Sequence, residues 1–281
     1  MKYLIIGIKG QLGREFEKQL TAVGADFLGV DIEELDICNM AQAIEFVTNN
    51  KPDVILNCAA YTAVDNAQTD KDTAFAVNAL GPDNLAMAAK DINALLVHYS
   101  TDYVFSGDKS TPYIETDKAE PISNYGASKL VGESLVINSG AKYLIFRLSW
   151  VYGDGNQNFI HKLTQWAQGG AELKIADNEV SVPTYTGTIA STTFLAIDKR
   201  LKGLYHLTSS GYCSRYEWAC FVLKELGMKN KIVPVNKGIF NLPALRPDFS
   251  AMDNSLLSKE LGIVLPEWKE DLKKYLSKIK V

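Results

Sequence analysis

Five short apolar runs, separated by stretches of helical spacing, constrain this chain more than any other feature. The runs are residues 3–6, 27–30, 54–57, 95–99 and 143–147; the helical stretches are 13–23, 41–49, 65–88 and 125–139. Because the runs do not alternate polar with apolar residues, each strand is expected to be covered on both faces. Strands joined through helices in this way run parallel. Lys51-Pro52-Asp53 predicts a sharp passage from helix to strand, since proline cannot continue the helix. The fold class expected is α/β, a doubly wound parallel sheet with a smaller C-terminal α/β lobe that would bind substrate.

The first turn of this pattern carries chemistry. Gly7-Ile-Lys-Gly10-Gln11-Leu12-Gly13 follows a strand and opens a helix. A dinucleotide pyrophosphate needs close backbone approach and a helix N-terminus, and side chains at these glycines would obstruct both. The second strand ends at Asp31, near the position of an acid that binds the adenosine ribose, where a carboxylate favours NADH over NADPH; an ordinary loop acid in Asp31-Ile-Glu-Glu-Leu-Asp36 is the alternative, and cofactor choice stays open. Asp36 and Ile37 are candidates to bound the adenine pocket. Asn57-Cys-Ala59-Ala60-Tyr61-Thr62 places small residues where backbone would pass the middle of the cofactor. Asn78 is a polar residue within an apolar helical pattern, a structural bridge or part of a proton path.

The second half of the site lies between residues 100 and 129. Ser-Thr101-Asp102-Tyr-Val-Phe closes the fourth strand, and Tyr125-Gly-Ala-Ser-Lys129 sets a phenol and an ammonium four residues apart. On a helix these share a face. A lysine cation beside a tyrosine lowers the phenol's pKa and makes it a usable acid and base. Thr101 adds a hydroxyl for a substrate oxygen. Of the thirteen tyrosines only Tyr125 has lysine at i+4, about the number chance supplies; Lys129 can equally pair with Glu133 as a surface ion pair.

Composition excludes other classes. With 281 residues, 47% hydrophobic and 22% charged, the chain suits one large domain or two unequal ones. A net charge of −4 and a pI near 5.5 argue against a nucleic-acid surface. Lys9 cuts the first apolar run, too short for a signal peptide, and no run reaches the length of a membrane span. Cys38, Cys58, Cys213 and Cys220 form no Cys-x-x-Cys pair, as expected for reduced thiols of a cytoplasmic protein. His98, His161 and His206 lack metal-ligand spacing, so no metal site is expected; His98 reads as a satisfied core residue.

Together these residues resemble the extended short-chain dehydrogenase/reductases, a Rossmann-type superfamily, and within it the dTDP-4-dehydrorhamnose reductase family. The resemblance runs over Gly7–Gly13, residues 57–60, 100–105 and 125–129, and Arg147-Leu-Ser-Trp150-Val-Tyr152-Gly. It also covers Thr-Ala-Val-Asp65, Pro112-Tyr-Ile-Glu115, Gly203-Leu-Tyr-His206 and Arg246-Pro247. It implies hydride transfer from NADPH or NADH to the C4 carbonyl of dTDP-4-dehydro-L-rhamnose, with dTDP-L-rhamnose as product. Tyr125 would protonate the oxygen, Lys129 would hold the nicotinamide ribose and tune Tyr125, and Thr101 would orient the carbonyl. Trp150 would flank the sugar, Asp102 would bind its hydroxyls, and Asn158 matches a family pattern of substrate contact. Arg246 is a candidate for the diphosphate because its fork matches phosphate oxygens, with an ion pair to Asp248 as its structural alternative.

Sugar-nucleotide dehydratases of similar sequence place an acid pair after the threonine. Here Tyr103 follows Asp102, which removes half of that pair. Another sugar-nucleotide reductase or epimerase, and a non-catalytic regulatory subunit like that of methionine adenosyltransferase, stay open as alternatives. The expected division is a cofactor domain of residues 1–150 and 186–208, and a sugar-nucleotide lobe of 151–185 and 209–281. Within these, 156–167, 187–200, 214–227, 255–262 and 267–280 read as helices, 203–207 as a strand and 181–184 as an extended link. The partner expected is a dTDP-sugar; oligomeric state is left open, a homodimer included.

Overall fold

The computed structural model describes residues 1–170 and 172–279, so residues 280 and 281, at the end of the expected last helix and lobe, lie outside the described residues. The first half runs β1 (Lys2–Ile6), α1 (Gln11–Ala22), β2 (Asp26–Val30), α2 (Met40–Asn50), β3 (Val54–Asn57), α3 (Lys71–Phe75), α4 (Gly81–Asp91), β4 (Leu95–Thr101), α5 (Asn124–Asn138) and β5 (Lys142–Leu148). Next come β6 (Val151–Tyr152), α6 (Phe159–Gln168), β7 (Leu173–Ala176), β8 (Val180–Ser181), β9 (Thr184–Tyr185), α7 (Thr186–Asp198) and β10 (Gly203–His206). The chain ends with β11 (Cys213–Ser214), α8 (Arg215–Glu225), β12 (Ile232–Val235), α9 (Ser255–Leu261) and α10 (Trp268–Leu276).

Six strands form one sheet in the order β10-β5-β4-β3-β1-β2, every pair parallel. Successive residues of the apolar runs feed opposite faces. Ile5, Leu56, Val97 and Phe146 pack under α1 and α7, whereas Leu4, Ile55, Leu96 and Ile145 pack under α2, α4 and α5. This explains the unalternating pattern: both faces are core. The strand order reverses at β1, whose neighbours are β2 and β3, and such a switch opens a crevice at the carboxyl ends of the strands.

The expected helix over 65–88 is broken. It resolves into a 3₁₀ turn (Asn66–Gln68), α3, a π turn (Ala76–Leu80) and α4. Pro82, near the start of α4, has no N–H and its ring crowds the carbonyl four residues back, at Asn78, so the helix widens there. The smaller lobe forms around a separate apolar cluster with Leu163 of α6, Trp218 and Val222 of α8 and Leu272 of α10. Its parallel pair β7–β12 was not anticipated: both strands are four residues long, and Pro234 demotes one of them by pattern. α9, expected in this lobe, instead packs Leu257 and Leu261 against the sheet. Among the described residues no helix is long and apolar enough to cross a membrane, and no cluster of three metal-ligating side chains occurs.

Candidate active site

At the carboxyl end of β4, Thr101 is buried and its Oγ1 accepts the Tyr103 N–H at 3.2 Å, which turns the chain into a short 3₁₀ segment, Asp102–Val104. α5 starts opposite, capped by Ser123, whose Oγ accepts the Gly126 N–H at 3.2 Å. The two elements touch at Gly126, where a Cβ would lie 2.1 Å from the Tyr103 carbonyl oxygen. This approach brings Tyr125, in the first turn of α5, against Thr101. Burial pushes the phenol up to about 12, and the neighbouring Thr101 hydroxyl pulls the other way.

Lys129, one turn on, is 2% exposed, and its Nζ donates to the Tyr99 carbonyl at 2.6 Å. Burial pulls the ammonium down to about 8, opposed by the Glu133 carboxylate. The alternative for Lys129, a surface ion pair with Glu133, does not form. Glu133 instead takes the fork of Arg147, with Nε at 2.9 Å and Nη2 at 2.7 Å, both partners buried. Nor does Lys129 depress Tyr125 as expected; the phenol rises because burial dominates. Removing one member of the Glu133–Arg147 pair would strand a buried charge and cost about 3–5 kcal/mol.

The glycine turn fits a dinucleotide. Gly7 has a φ of +79°, and a Cβ there would meet the Ala59 nitrogen at 2.8 Å; a Cβ on Gly13 would lie 2.2 Å from the Gly7 oxygen. The N-terminus of α1 carries no side-chain cap at Gly10, so its amides stay open to an anion. Gln11 reaches the Val151 carbonyl at 3.4 Å, Leu12 is buried in the core, and a cavity of about 190 Å³ lies between Gln11, Arg14 and the 154–157 loop. Asp31 follows β2 with both carboxylate oxygens fixed by backbone, from the Lys9 and Ile32 N–H groups at 3.0 Å. Asp36 accepts the Cys38 N–H at 2.9 Å.

Ile37, expected to bound the adenine, has its side chain in the core beneath α4, where a Cβ on Gly81 would strike it. Ala59, Ala60, Tyr61 and Thr62 form the loop after β3. Asn78 buttresses that loop: its Oδ1 accepts the Tyr61 N–H at 2.9 Å, and its Nδ2 donates to Tyr61 O and Ser128 Oγ at 3.0 Å. These bonds make it a structural bridge. His98 is buried and meets Asn57 through Nδ1 at 3.2 Å, but its Nε2 has no protein partner among the described residues, so it is not fully satisfied.

The expected sugar contacts divide. Asp102 is 2% exposed, and its carboxylate accepts the hydroxyls of Ser181 (2.8 Å), Ser250 (2.5 Å) and Thr101 (3.2 Å). Burial raises it to about 6 against those bonds. It is committed to protein hydroxyls and ties the smaller lobe to the Thr101 turn. Asn158 is a helix cap, accepting the His161 N–H and donating to the Gly153 and Gly155 carbonyls. Arg246 pairs with Asp65, not Asp248, in a two-pronged contact of 3.0 and 2.7 Å; Asp248 takes Lys237. Trp150 follows β5 with a φ of +39°, a strained left-handed position for a non-glycine residue. Its Nε1 is buried without a protein partner among the described residues.

Three residues that sequence reasoning missed join this wall. Tyr103 meets Tyr125 edge-on at 5.9 Å and donates to Glu179 Oε1 at 3.4 Å. Arg215 Nη2 donates to the same oxygen at 2.8 Å, and its guanidinium lies 3.6 Å from the Trp150 ring centroid. Burial drives Glu179 upward, but the cations around it, Arg215 first and then Arg246 and Lys237, together hold the carboxyl below its usual range. A lone glutamate and arginine in separate segments give no local signal; only the fold joins them.

The family model described as the RmlD substrate binding domain matches residues 1–281. A dTDP-4-dehydrorhamnose reductase of Burkholderia thailandensis is 36% identical over 96% of each chain. The crystal structure of a dTDP-4-dehydrorhamnose reductase from Clostridium acetobutylicum superposes with a TM-score of 0.96 at 40% identity, covering 99% of both chains. That of Bacillus anthracis, solved in complex with NADP, gives 0.95 at 34%, again over 99% of each. With a parallel sheet, an open glycine turn and this similarity along the whole chain, the protein belongs to the RmlD substrate binding domain family, that of the dTDP-4-dehydrorhamnose reductases.

Proposed function

We propose that this chain reduces the C4 carbonyl of dTDP-4-dehydro-L-rhamnose to give dTDP-L-rhamnose. The observation that carries the reading is the meeting of α5 with the Thr101 turn, where Tyr125 lies edge-on to Tyr103 at 5.9 Å and Lys129 is buried one helical turn on. Residues 1–150 and 186–208 would form the cofactor domain; 151–185 and 209–281 would form the sugar-nucleotide lobe, with α9 laid against the sheet. The residues suited to NADH or NADPH are Gly7, Gly10, Gln11, Leu12 and Gly13 at the pyrophosphate, Asp31 with the Asp36–Ile37 backbone at the adenosine, and the 59–62 loop further in. The fit rests on the uncapped helix and the glycine cradle. When bound, the reduced nicotinamide supplies the hydride.

The protein's own groups do the rest. Tyr125, pushed up to about 12 by burial, stays protonated at neutral pH and gives its proton to the oxygen as negative charge develops there. Thr101 Oγ1 is held by the Tyr103 N–H and its one O–H rests on Asp102; turning that O–H from Asp102 to the substrate oxygen would supply a second donor. Lys129, charged below about 8, supplies an ammonium to the ribose. The test is consumption of reduced nicotinamide by purified protein given the enzymatically generated keto-sugar nucleotide. Consumption with formation of dTDP-L-rhamnose is expected; none with either cofactor, despite cofactor binding, would overturn the reading.

A further inference from the structure

We infer that Arg215 holds the diphosphate of the sugar nucleotide, a deepening that rests on the proposed reductase reading. The cations near the Thr101 turn differ in what they leave free. Arg246 has both terminal nitrogens engaged, Nη1 by Asp65 and the Ala244 carbonyl, Nη2 by Asp65. Lys237 is bound to the Arg246 carbonyl and Asp248. Arg147 is buried on Glu133. Arg215 is otherwise placed: among the described residues its side chain makes one hydrogen bond, from Nη2 to Glu179. Among the described residues Nε and Nη1 have no protein partner, and the side chain is 18% exposed.

Three features orient that free edge. The Arg215 backbone N–H donates to the Glu179 carbonyl at 2.9 Å, so main chain and side chain dock on one residue. The guanidinium lies over Trp150 at 3.6 Å, with Phe159 at 5.0 Å and Trp218 at 5.5 Å. Stacking holds the fork's plane while its edge stays available for a second, two-pronged contact, the geometry that phosphate oxygens accept. The charge is felt at the catalytic turn, where it lowers Asp102 and Tyr103 against their burial. The Trp150 N–H, buried without a partner among the described residues, is a further donor on the same wall. A ligand whose sugar reaches Thr101 and Tyr125 would carry its diphosphate past this edge. Glu179 is then a positioning residue: it holds Arg215 and, through Tyr103, the ring against Tyr125.

Two ligands bring a diphosphate to this protein, the sugar nucleotide and the dinucleotide, so the test separates them. Binding of dTDP, thymidine and NADH is measured calorimetrically for the wild type, Arg215→Ala and Arg215→Lys, with thermal midpoints recorded alongside. Arg215→Ala should weaken dTDP about 10–100-fold and leave thymidine and NADH within about twofold. Arg215→Lys keeps a charge for Glu179 but loses the fork, and should weaken dTDP about fivefold or more. Because it preserves the ion pair, it decides the matter if the alanine variant unfolds. Equal dTDP affinity in the lysine variant, or in a folded alanine variant, would overturn the assignment while leaving the reductase reading intact. Failure of the wild type to bind dTDP would sink both, and failure to turn over the keto-sugar despite dTDP binding would remove the reading alone.

Discussion

Replacing Gly126 with alanine sets two effects of opposite sign against each other. In an ordinary helix the change stabilises by about 1 kcal/mol, since glycine is the poorer helix former. Here the new Cβ would sit 2.1 Å from the Tyr103 carbonyl oxygen, inside the 3.0 Å that real Cβ contacts respect. That oxygen belongs to backbone held by the Thr101 and Asp102 bonds, so the start of α5 must retreat by about 0.9 Å. Overpacking of this kind costs about 1–3 kcal/mol, which outweighs the helix gain and leaves a net loss of about 1 kcal/mol. The larger effect is on chemistry, because the retreat carries Tyr125 away from Thr101, and a displacement near 1 Å costs about 100-fold in rate. Urea unfolding and steady-state turnover with the keto-sugar would be measured together. The expected pattern is a small stability loss with a large fall in kcat and little change in cofactor affinity. A more stable variant with kcat within twofold of wild type would refute the close-approach argument.

Two further outcomes follow from the site. Lys129 loses its proton as pH rises through about 8, so NADH affinity should fall through one inflection there, and Lys129→Arg, charged throughout, should abolish the inflection; a wild-type profile flat to about pH 9.5 would contradict this. Asp31 is locked beside the turn by two backbone N–H groups, and the nearby Lys9 is neutralised by Glu33 at 2.8 Å, so NADH should be preferred over NADPH, and Asp31→Ser should reduce the ratio of their kcat/KM values by at least about tenfold. An unchanged ratio would remove Asp31 from cofactor choice.

The parallel sheet was legible because its strands are buried on both faces, which writes an unbroken apolar run into the sequence at each one. The glycine turn was legible too, since the glycines that let backbone approach backbone sit within seven residues. Contacts between distant segments left no such trace. Asp102 read as a free carboxylate for a sugar, yet one hydroxyl bound to it comes from 148 residues away. Arg246 read as a fork for the diphosphate, with Asp248 as its structural alternative, whereas the fold gives it Asp65, 181 residues distant. Lys129 lost Glu133 to Arg147 because the strand behind α5 presents a fork that fits both carboxylate oxygens, while one helical turn presents a single ammonium. The π turn at Asn78 carried a local signal in Pro82, overlooked because the apolar periodicity ran through it.

Tyr125→Phe tests the central claim most directly. The substitution removes only the hydroxyl that meets Thr101 and leaves the ring against Tyr103, so fold and cofactor binding should persist. The account predicts NADH or NADPH affinity within about twofold of wild type and a loss in kcat for the keto-sugar on the order of 10²–10⁴-fold, the usual worth of a positioned proton donor. Near-normal turnover in a folded, cofactor-binding Tyr125→Phe protein would contradict it.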